Sequence, residues 1–576
     1  MTRSDVKDDL TIAVVGLGSV GEPLLQALAG AGFPTVGIDS DPDTLTRVTA
    51  RLGPRSPGAE PPRLGGELSL LATADVVFVT VPDDFAITSS VLREAHAVCG
   101  PTTLFATTSA RLSLPRLAIA GGRPHSTLGI RLLAPPASTT STAVEVVATS
   151  MTEQQSATVV TTVLTKAGLS CVTLGAIASS DAMGLLHAYL NRAVSLYAEG
   201  EISREAIDTA MRLGCGLPRG PLQLLDHIGL DTAHATLHEL HNTTGNPAYE
   251  PSSLLTCLVD EGHLGRKTGR GFYMYDASGT VIAGTEPTDR TPRSMVRRIG
   301  LLGSGVMARG IAEVATLAGF PAVLVARSQE KADSAHSAIE SSLTRGVRRG
   351  RVTASARQSA LALLSVTSDQ NALADCDLVV EAVIEDLNVK REHFAHLGTV
   401  CKPSAIVATT TSSLSVSACA EASGRPDRVV GMHFFNPAPT MRLVELACAR
   451  TTSPETAATV RDVCAALGKH VVDSPDRAGY IVNYLLFPYL ADAIRLLDRP
   501  DVDISATDEA IRSGYGHPMG PFALLDTIGL DVSLAILRQL HQAFALPDLA
   551  PPELLGQLVS LNESLGRKTG RGFLQW

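Results

Sequence analysis

The nonapeptide LGRKTGRGF occurs at Leu264–Phe272 and again, unchanged, at Leu565–Phe573. Each copy is preceded by a related run, GPLQLLDHIGLD or GPFALLDTIGLD. A recurrence of this kind near the end of each half means that the chain is a tandem duplication, so a fold assigned to one half has to serve for the other. Between about residues 165 and 231 the copies keep an offset of 300 without a gap, pairing Gly168 with Gly468, Tyr189 with Tyr489 and Asp226 with Asp526. The polar, proline-containing AGTEPTDRTPRS between the halves reads as a linker.

Both halves also open alike. An apolar run of strand length leads into a glycine turn and a helical pattern, with Gly16, Gly18 and Gly21 in one copy and Gly303, Gly305 and Ala308 in the other, where Val306 and Met307 complete the turn. This is the dinucleotide fingerprint in its proper context: a tight turn, close backbone approach to a pyrophosphate, and a helix N-terminus facing the anion. Further β-type runs follow, DVVFVTV and DLVVEAVI, and then a helix-rich stretch of about a hundred residues. The predicted fold class is α/β plus all-α, a Rossmann domain followed by a helical domain, twice. The expected domains are residues 1–172 and 173–284, a linker at 285–296, then 297–474 and 475–576.

Composition narrows the function classes. At 576 residues the chain is too long for a single core, and its 45% apolar content can fill several. A net charge of −10 argues against a nucleic-acid partner. Nine cysteines without a CxxC pair fit reduced thiols. No apolar run is long enough to span a bilayer, and the opening MTRSDVKDDL lacks the apolar core of a signal peptide, so no membrane partner is expected and the expected location is cytoplasmic.

In the second half, VEAVIEDLNVK, ATTTSSLS, GMHFFNPAPTMRLVEL, DRAGYIVNYLLFPYL, GHPMGP and LGRKTGRGF follow one another in order. Over about residues 297–576 this resembles the 3-hydroxyacyl-CoA dehydrogenase family, of the 3-hydroxybutyryl-CoA dehydrogenase type. The resemblance implies an oxidoreductase of fatty acid metabolism in which His433 and Glu445 work on the C3 oxygen while Ser412 and Asn483 hold the substrate. It also implies that Glu385, Lys390, Asn436 and Lys568 lie near the nicotinamide cofactor, and Ser342 and Arg349 near the CoA moiety. The chemistry agrees with the residue types. Removing a hydride from a secondary alcohol requires that the hydroxyl proton leave too; an imidazole titrating near neutrality suits that task, and a carboxylate on its other nitrogen fixes the tautomer.

Two departures from the family pattern matter. Thr410 stands where the family usually has Asn, which alters the hydrogen bonding beside Ser412. The second strand ends VLVARSQEK, so Ala326 replaces the acidic residue that would repel a 2′-phosphate, and Arg327 with Ser328 are suited to bind one. The expected cofactor is therefore NADP, with NAD left open.

The first copy departs further. Its ATTSARLS puts Ala110 at the serine position, Arg131 replaces the histidine and Met183 the asparagine; only Glu145 remains of the four. Arginine is unsuited as a proton-transfer base because its pKa exceeds about 12. From Asp39 to Asp75 the first copy has 36 residues, against 51 from Ala326 to Asp377, and the missing segment is the one that carries the presumed CoA contacts. In its place stands the Pro/Gly-rich RLGPRSPGAEPPRLGG. Asp39 is kept, so NAD binding there stays open. The expectation is a pseudo-enzyme half that makes an internal pseudo-dimer with the catalytic one, and further homo-oligomers are not excluded. The first Rossmann segment also resembles the opening of nucleotide-sugar dehydrogenases, but Cys215 in LGCGLPRG aligns with the structural turn SGYGHPMG and does not supply their cysteine.

The expected substrate is an acyl-CoA or acyl-carrier-protein thioester, with no metal. The competing class is a non-catalytic nucleotide-binding or assembly protein derived from the same family, against which the four intact residues of the second half argue.

Overall fold

The structure is a computed structural model. It describes residues 10–52, 61–82, 84–108, 112–132, 143–149, 151–172, 176–276, 278–282, 296–561 and 563–576. Ala110, most of the 285–296 linker and residues 53–60 of the Pro/Gly-rich stretch lie outside these.

Runs of three to six residues, most of them apolar, make two eight-stranded sheets. The first contains β1 (Ile12–Val15), β2 (Thr35–Ile38), β3 (Arg63–Gly65), β4 (Val76–Val79), β5 (Leu104–Thr107), β6 (Thr127–Leu132), β7 (Ala143–Val147) and β8 (Ser170–Val172). The second contains β9 (Ile299–Leu302), β10 (Ala322–Val325), β11 (Leu364–Thr367), β12 (Leu378–Glu381), β13 (Ile406–Thr409), β14 (Val429–Phe434), β15 (Leu443–Cys448) and β16 (His470–Pro475). Their orders are identical, β3-β2-β1-β4-β5-β6-β7-β8 and β11-β10-β9-β12-β13-β14-β15-β16. The order reverses between β1 and β4 and between β9 and β12, the switch points where doubly wound sheets bind ligands. Only the β6–β7 and β14–β15 pairs are antiparallel. Strands β9, β10, β12 and β13 are buried at every position, as expected for strands covered by apolar layers on both faces.

Between the second and third strands the copies differ as the length difference predicts. The second sheet has two helices there, Gln329–Arg348 and Ala354–Leu363; in the first, the described residues hold one, Pro42–Arg51.

The chain divides into two compact units that cut across the sequence halves: Met1–Leu185 with Leu496–Leu524, and Leu186–Arg495 with Leu525–Trp576. In the first unit the helix Ile504–Tyr515, from the second half of the sequence, packs against β7, and its Ala510 and Ile511 cluster with Ala182. In the second unit the helix Arg204–Cys215, from the first half, packs against β15 and β16. Also within that unit Tyr189 meets Tyr489 edge to face at 5.9 Å, and the Arg192 guanidinium lies 3.6 Å from Asp492. These are counterpart positions 300 residues apart, so the duplicated helices contact one another as the two sides of an isologous interface do.

The helical segments repeat their polar anchors as well. Asp508 accepts the N–H groups of Phe522 and Ala523, both at 2.8 Å, and Asp208 does the same for Leu222 and Gln223 at 2.9 Å. Asp226 and Asp526 likewise hold the segments after the LGRKTGRG repeats. Among the described residues, no helix is long and apolar enough to cross a membrane, and all nine cysteines are free. Replacement of Asp508 by alanine leaves two helix N-terminal N–H groups without their acceptor. The expected cost is about 1–3 kcal/mol for each, read as a lower midpoint in urea unfolding of Asp508→Ala.

Candidate active site

The cofactor cradle begins where β9 ends. Gly303 has φ of +129°, and a Cβ there would lie 2.4 Å from the carbonyl oxygen of Ala382 on the neighbouring strand, so only glycine allows the turn. Gly305 faces open space, with nothing within 4 Å of a Cβ position, and the helix Val306–Leu317 starts immediately after it. An open, glycine-lined turn at a helix N-terminus fits a dinucleotide pyrophosphate. Val306 is exposed there, whereas Met307 is partly buried. At the end of β10, Ala326 is buried and Arg327 is exposed; the Ser328 hydroxyl caps the helix Gln329–Arg348 by accepting from Lys331 N at 3.3 Å.

Below the cradle lies a buried charge network. Lys390, 1% exposed, donates to both oxygens of Glu381 at 2.8 and 3.0 Å and lies 3.4 Å from Glu385. Glu381, fully buried at the end of β12, also accepts from Thr409 at 2.7 Å and from Val383 N at 2.8 Å. Lys390 is thus held inside the protein by two carboxylates. Glu385 faces the turn after β13: it accepts from the Thr411 hydroxyl, from Ser412 N at 2.8 Å and from the Ser413 hydroxyl at 3.2 Å. Thr411 in turn accepts from Leu414 N at 2.8 Å. The hydrogen bonding that holds Ser412 thus comes from Thr411 and Glu385, beside Thr410.

That turn points Ser412 at His433. The Ser412 hydroxyl lies 3.0 Å from His433 Nε2, and His433 Nδ1 lies 2.7 Å from Glu445 Oε2. His433 and Glu445 face one another across the antiparallel β14–β15 pair. Glu445 is fully buried, and its Oε1 accepts the N–H groups of Ile481 at 3.0 Å and Val482 at 2.9 Å. An ionised carboxylate only accepts, so Nδ1 carries the proton and Nε2 is left to take one, with the serine hydroxyl donating to it. Asn483, the next residue of the same helix, is buried. The pattern of strand, turn and helix brings Ser412, His433 and Glu445 together from three parts of the sequence, with Asn483 next in the chain to Val482.

Several further groups shape this site without having been legible as single residues. Tyr480 is fully buried with φ of +48°, and its ring lies 5.2 Å from that of His433; Phe435 meets the imidazole edge-on at 4.7 Å. Lys469, buried on the far side, donates to the carbonyls of Ala438 and Met441 and so holds the loop after β14; burial lowers its ammonium below the usual lysine range. Asn436, in that loop, is exposed. Ser342 is hydrogen-bonded to Glu313, whose carboxyl is raised by burial, while Arg349 is exposed among Arg345, Arg348 and Arg351. Lys568 is ion-paired with Asp531, as Lys267 is with Asp231 in the first copy.

The first copy repeats the framework with different chemistry. Arg131 and Glu145 occupy the same register across β6 and β7, and their side chains approach to 3.4 Å. Glu145 is buried, so the pair neutralises a carboxylate whose counterpart in the second copy orients a histidine. Met183 lies on the helix Ala176–Ala198. Asp39 is bound to the glycine turn, accepting from Leu17 N at 2.7 Å.

A glycine cradle at a sheet switch point, beside a histidine oriented by a buried carboxylate, defines a nicotinamide-dependent oxidoreductase. Comparison with known sequences agrees. The model of the 3-hydroxyacyl-CoA dehydrogenase NAD binding domain matches residues 63–177 and 298–477, and that of the C-terminal domain matches residues 182–275 and 479–576. The chain belongs to the 3-hydroxyacyl-CoA dehydrogenase family, with both of its domains present twice. A 3-hydroxybutyryl-CoA dehydrogenase of Mycobacterium tuberculosis is 41% identical over 280 residues, 48% of this chain and 98% of that protein. The human mitochondrial hydroxyacyl-coenzyme A dehydrogenase is 39% identical over 305 residues, 52% of this chain and 96% of that one. In fold, a 3-hydroxybutyryl-CoA dehydrogenase from Escherichia coli K12 matches 96% of this chain and 99% of its own, with a TM-score of 0.57 at 19% identity. Among the described residues, no group of three or more His, Cys, Asp or Glu side chains is placed to hold a metal.

The buried Lys390–Glu381 pair yields a direct test. Lys390→Met strands an unpaired carboxylate and is expected to cost about 3–5 kcal/mol, with most of that recovered in the double variant with Glu381→Leu. Denaturant unfolding of the single and double variants measures both.

Proposed function

We propose that the second half catalyses the reversible reduction of a 3-oxoacyl thioester to its 3-hydroxyacyl form. The observation that carries this reading is the line Ser412–His433–Glu445, in which one imidazole nitrogen is tied to a buried carboxylate and the other faces a hydroxyl at 3.0 Å. When bound, the nicotinamide supplies the hydride to C3, or accepts it in the reverse direction. The chain's own task is the proton. In reduction, His433 Nε2 gives a proton to the C3 oxygen as the C–H bond forms; in oxidation, the same nitrogen takes the hydroxyl proton. Glu445 stabilises the imidazolium throughout, and Ser412 with Asn483 orients the oxygen.

CoA is the carrier favoured here, because relatives with 39–41% identity are named for CoA thioesters and because Arg345, Arg348, Arg349 and Arg351 form an exposed basic cluster suited to its phosphates. A carrier-protein thioester is the second reading, since the acyl group would meet the same residues. For the cofactor, Ala326, Arg327 and Ser328 favour NADP: no carboxylate stands where the 2′-phosphate would sit, and a guanidinium is available to pair with it. The first half is a pseudo-enzyme by its Ala110, Arg131 and Met183. Its contribution is an internal pseudo-dimer, supported by the meeting of Tyr189 with Tyr489.

Two measurements test this. His433→Gln is expected to lower turnover of acetoacetyl-CoA with NADPH by at least about a hundredfold, the scale of general acid–base catalysis, while cofactor binding persists. Retention of most activity in a folded variant rejects the assignment. For the cofactor, Ala326→Asp combined with Arg327→Ser is expected to shift preference toward NADH, read as the ratio of kcat/KM for the two cofactors. A wild-type enzyme that already prefers NADH tenfold rejects the NADP reading.

A further inference from the structure

The helix Arg204–Cys215 belongs to the half of the sequence without the catalytic set, yet in the second unit it packs against β15 and β16. Near its end is Gly214. A glycine inside a helix costs about 1 kcal/mol relative to alanine, so its presence asks for a reason. A Cβ at Gly214 would lie 2.9 Å from Val482 Cγ2 and 3.0 Å from Leu443 Cδ2. The helix backbone therefore rests directly on two residues that frame Glu445. Leu443, fully buried, lies two positions before it on β15, and Val482 donates one of the two N–H groups that hold its Oε1.

The turn that presents those N–H groups is not self-supporting. Tyr480, the residue before Ile481, is a non-glycine residue in the left-handed region, a conformation that persists only where surrounding packing imposes it. Cys215, the last residue of the helix, is close enough to feel the same carboxylate: burial and the charge of Glu445 push its thiol up to about 12.

We infer that the helix Arg204–Cys215 is a positioning element of the active site in the other half of the chain, with Gly214 as the point where it braces the Ile481–Val482 turn against Glu445. The degenerate half then has a specific use. It does not touch substrate; it fixes the carboxylate that fixes the catalytic imidazole. This rests on the proposed reaction and adds a requirement for both halves in one active site.

The test uses the full-length chain carrying Gly214→Val, alone and with Val482→Ala, which removes the closer of the two clashing side chains. The single variant is expected to lose about tenfold to a hundredfold in kcat, the scale of a misplaced catalytic group, with KM for NADPH unchanged. Hydrogen exchange of the Ile481 and Val482 amides, followed by mass spectrometry, is expected to accelerate at least tenfold, and Val482→Ala is expected to return both readouts toward wild type. Unchanged kcat and exchange in Gly214→Val overturn the inference, as does a loss that spreads over the whole unit and is not rescued. If the valine variant fails to fold, Gly214→Ala with and without Val482→Ala is judged by the same criteria. Absence of acetoacetyl-CoA reduction by the wild type would reject the reaction instead, and the exchange measurement would still decide the positioning role.

Discussion

A single buried carboxylate organises the candidate site in the second half. Glu445 has no solvent exposure; two backbone N–H groups bond one of its oxygens and His433 Nδ1 the other. A charge buried this way is tolerated only with its acceptor sites filled, so the strand that carries Glu445, the strand that carries His433 and the turn at Ile481–Val482 have to arrive together. The positive φ of Tyr480 is part of that arrangement, since it aims the two amides. The histidine's tautomer, and with it the direction in which a proton moves, follows from this one contact.

The duplicated half shows what happens when the histidine is replaced and the carboxylate stays. Glu145 is as buried as its counterpart and still requires compensation, which Arg131 supplies from the histidine's own register. The exchange preserves charge balance across the antiparallel pair while removing any group able to shuttle a proton near neutral pH. The framework of strands thus survives at this position while the imidazole does not.

A second buried pair plays a similar part beneath the cofactor cradle. Lys390 and Glu381 have almost no exposure, and the pair is tied to the catalytic turn through Thr409 and Glu385. Motif similarity alone puts Lys390 beside the nicotinamide. The fold buries it against Glu381 and Glu385, a placement sequence does not reveal because a lysine in a polar motif reads the same whether it faces ligand or protein.

The duplication, both Rossmann fingerprints and the helical domains were legible in the sequence, because each is written in local signals: a repeat, a glycine turn after an apolar run, or an ordered set of motifs. Ser412, His433, Glu445 and Asn483 were named by resemblance, and the fold sets the first three in contact. Sequence led to an expected internal pseudo-dimer but did not say which residues meet across the halves. That Arg204–Cys215 lies against β15 and β16, that Gly214 rests on Val482, and that Tyr189 meets Tyr489 are contacts between segments hundreds of residues apart. Local propensity is blind to such pairs; only the packing of the folded chain selects them, because each is set by which apolar faces are left to be covered once the sheets have formed.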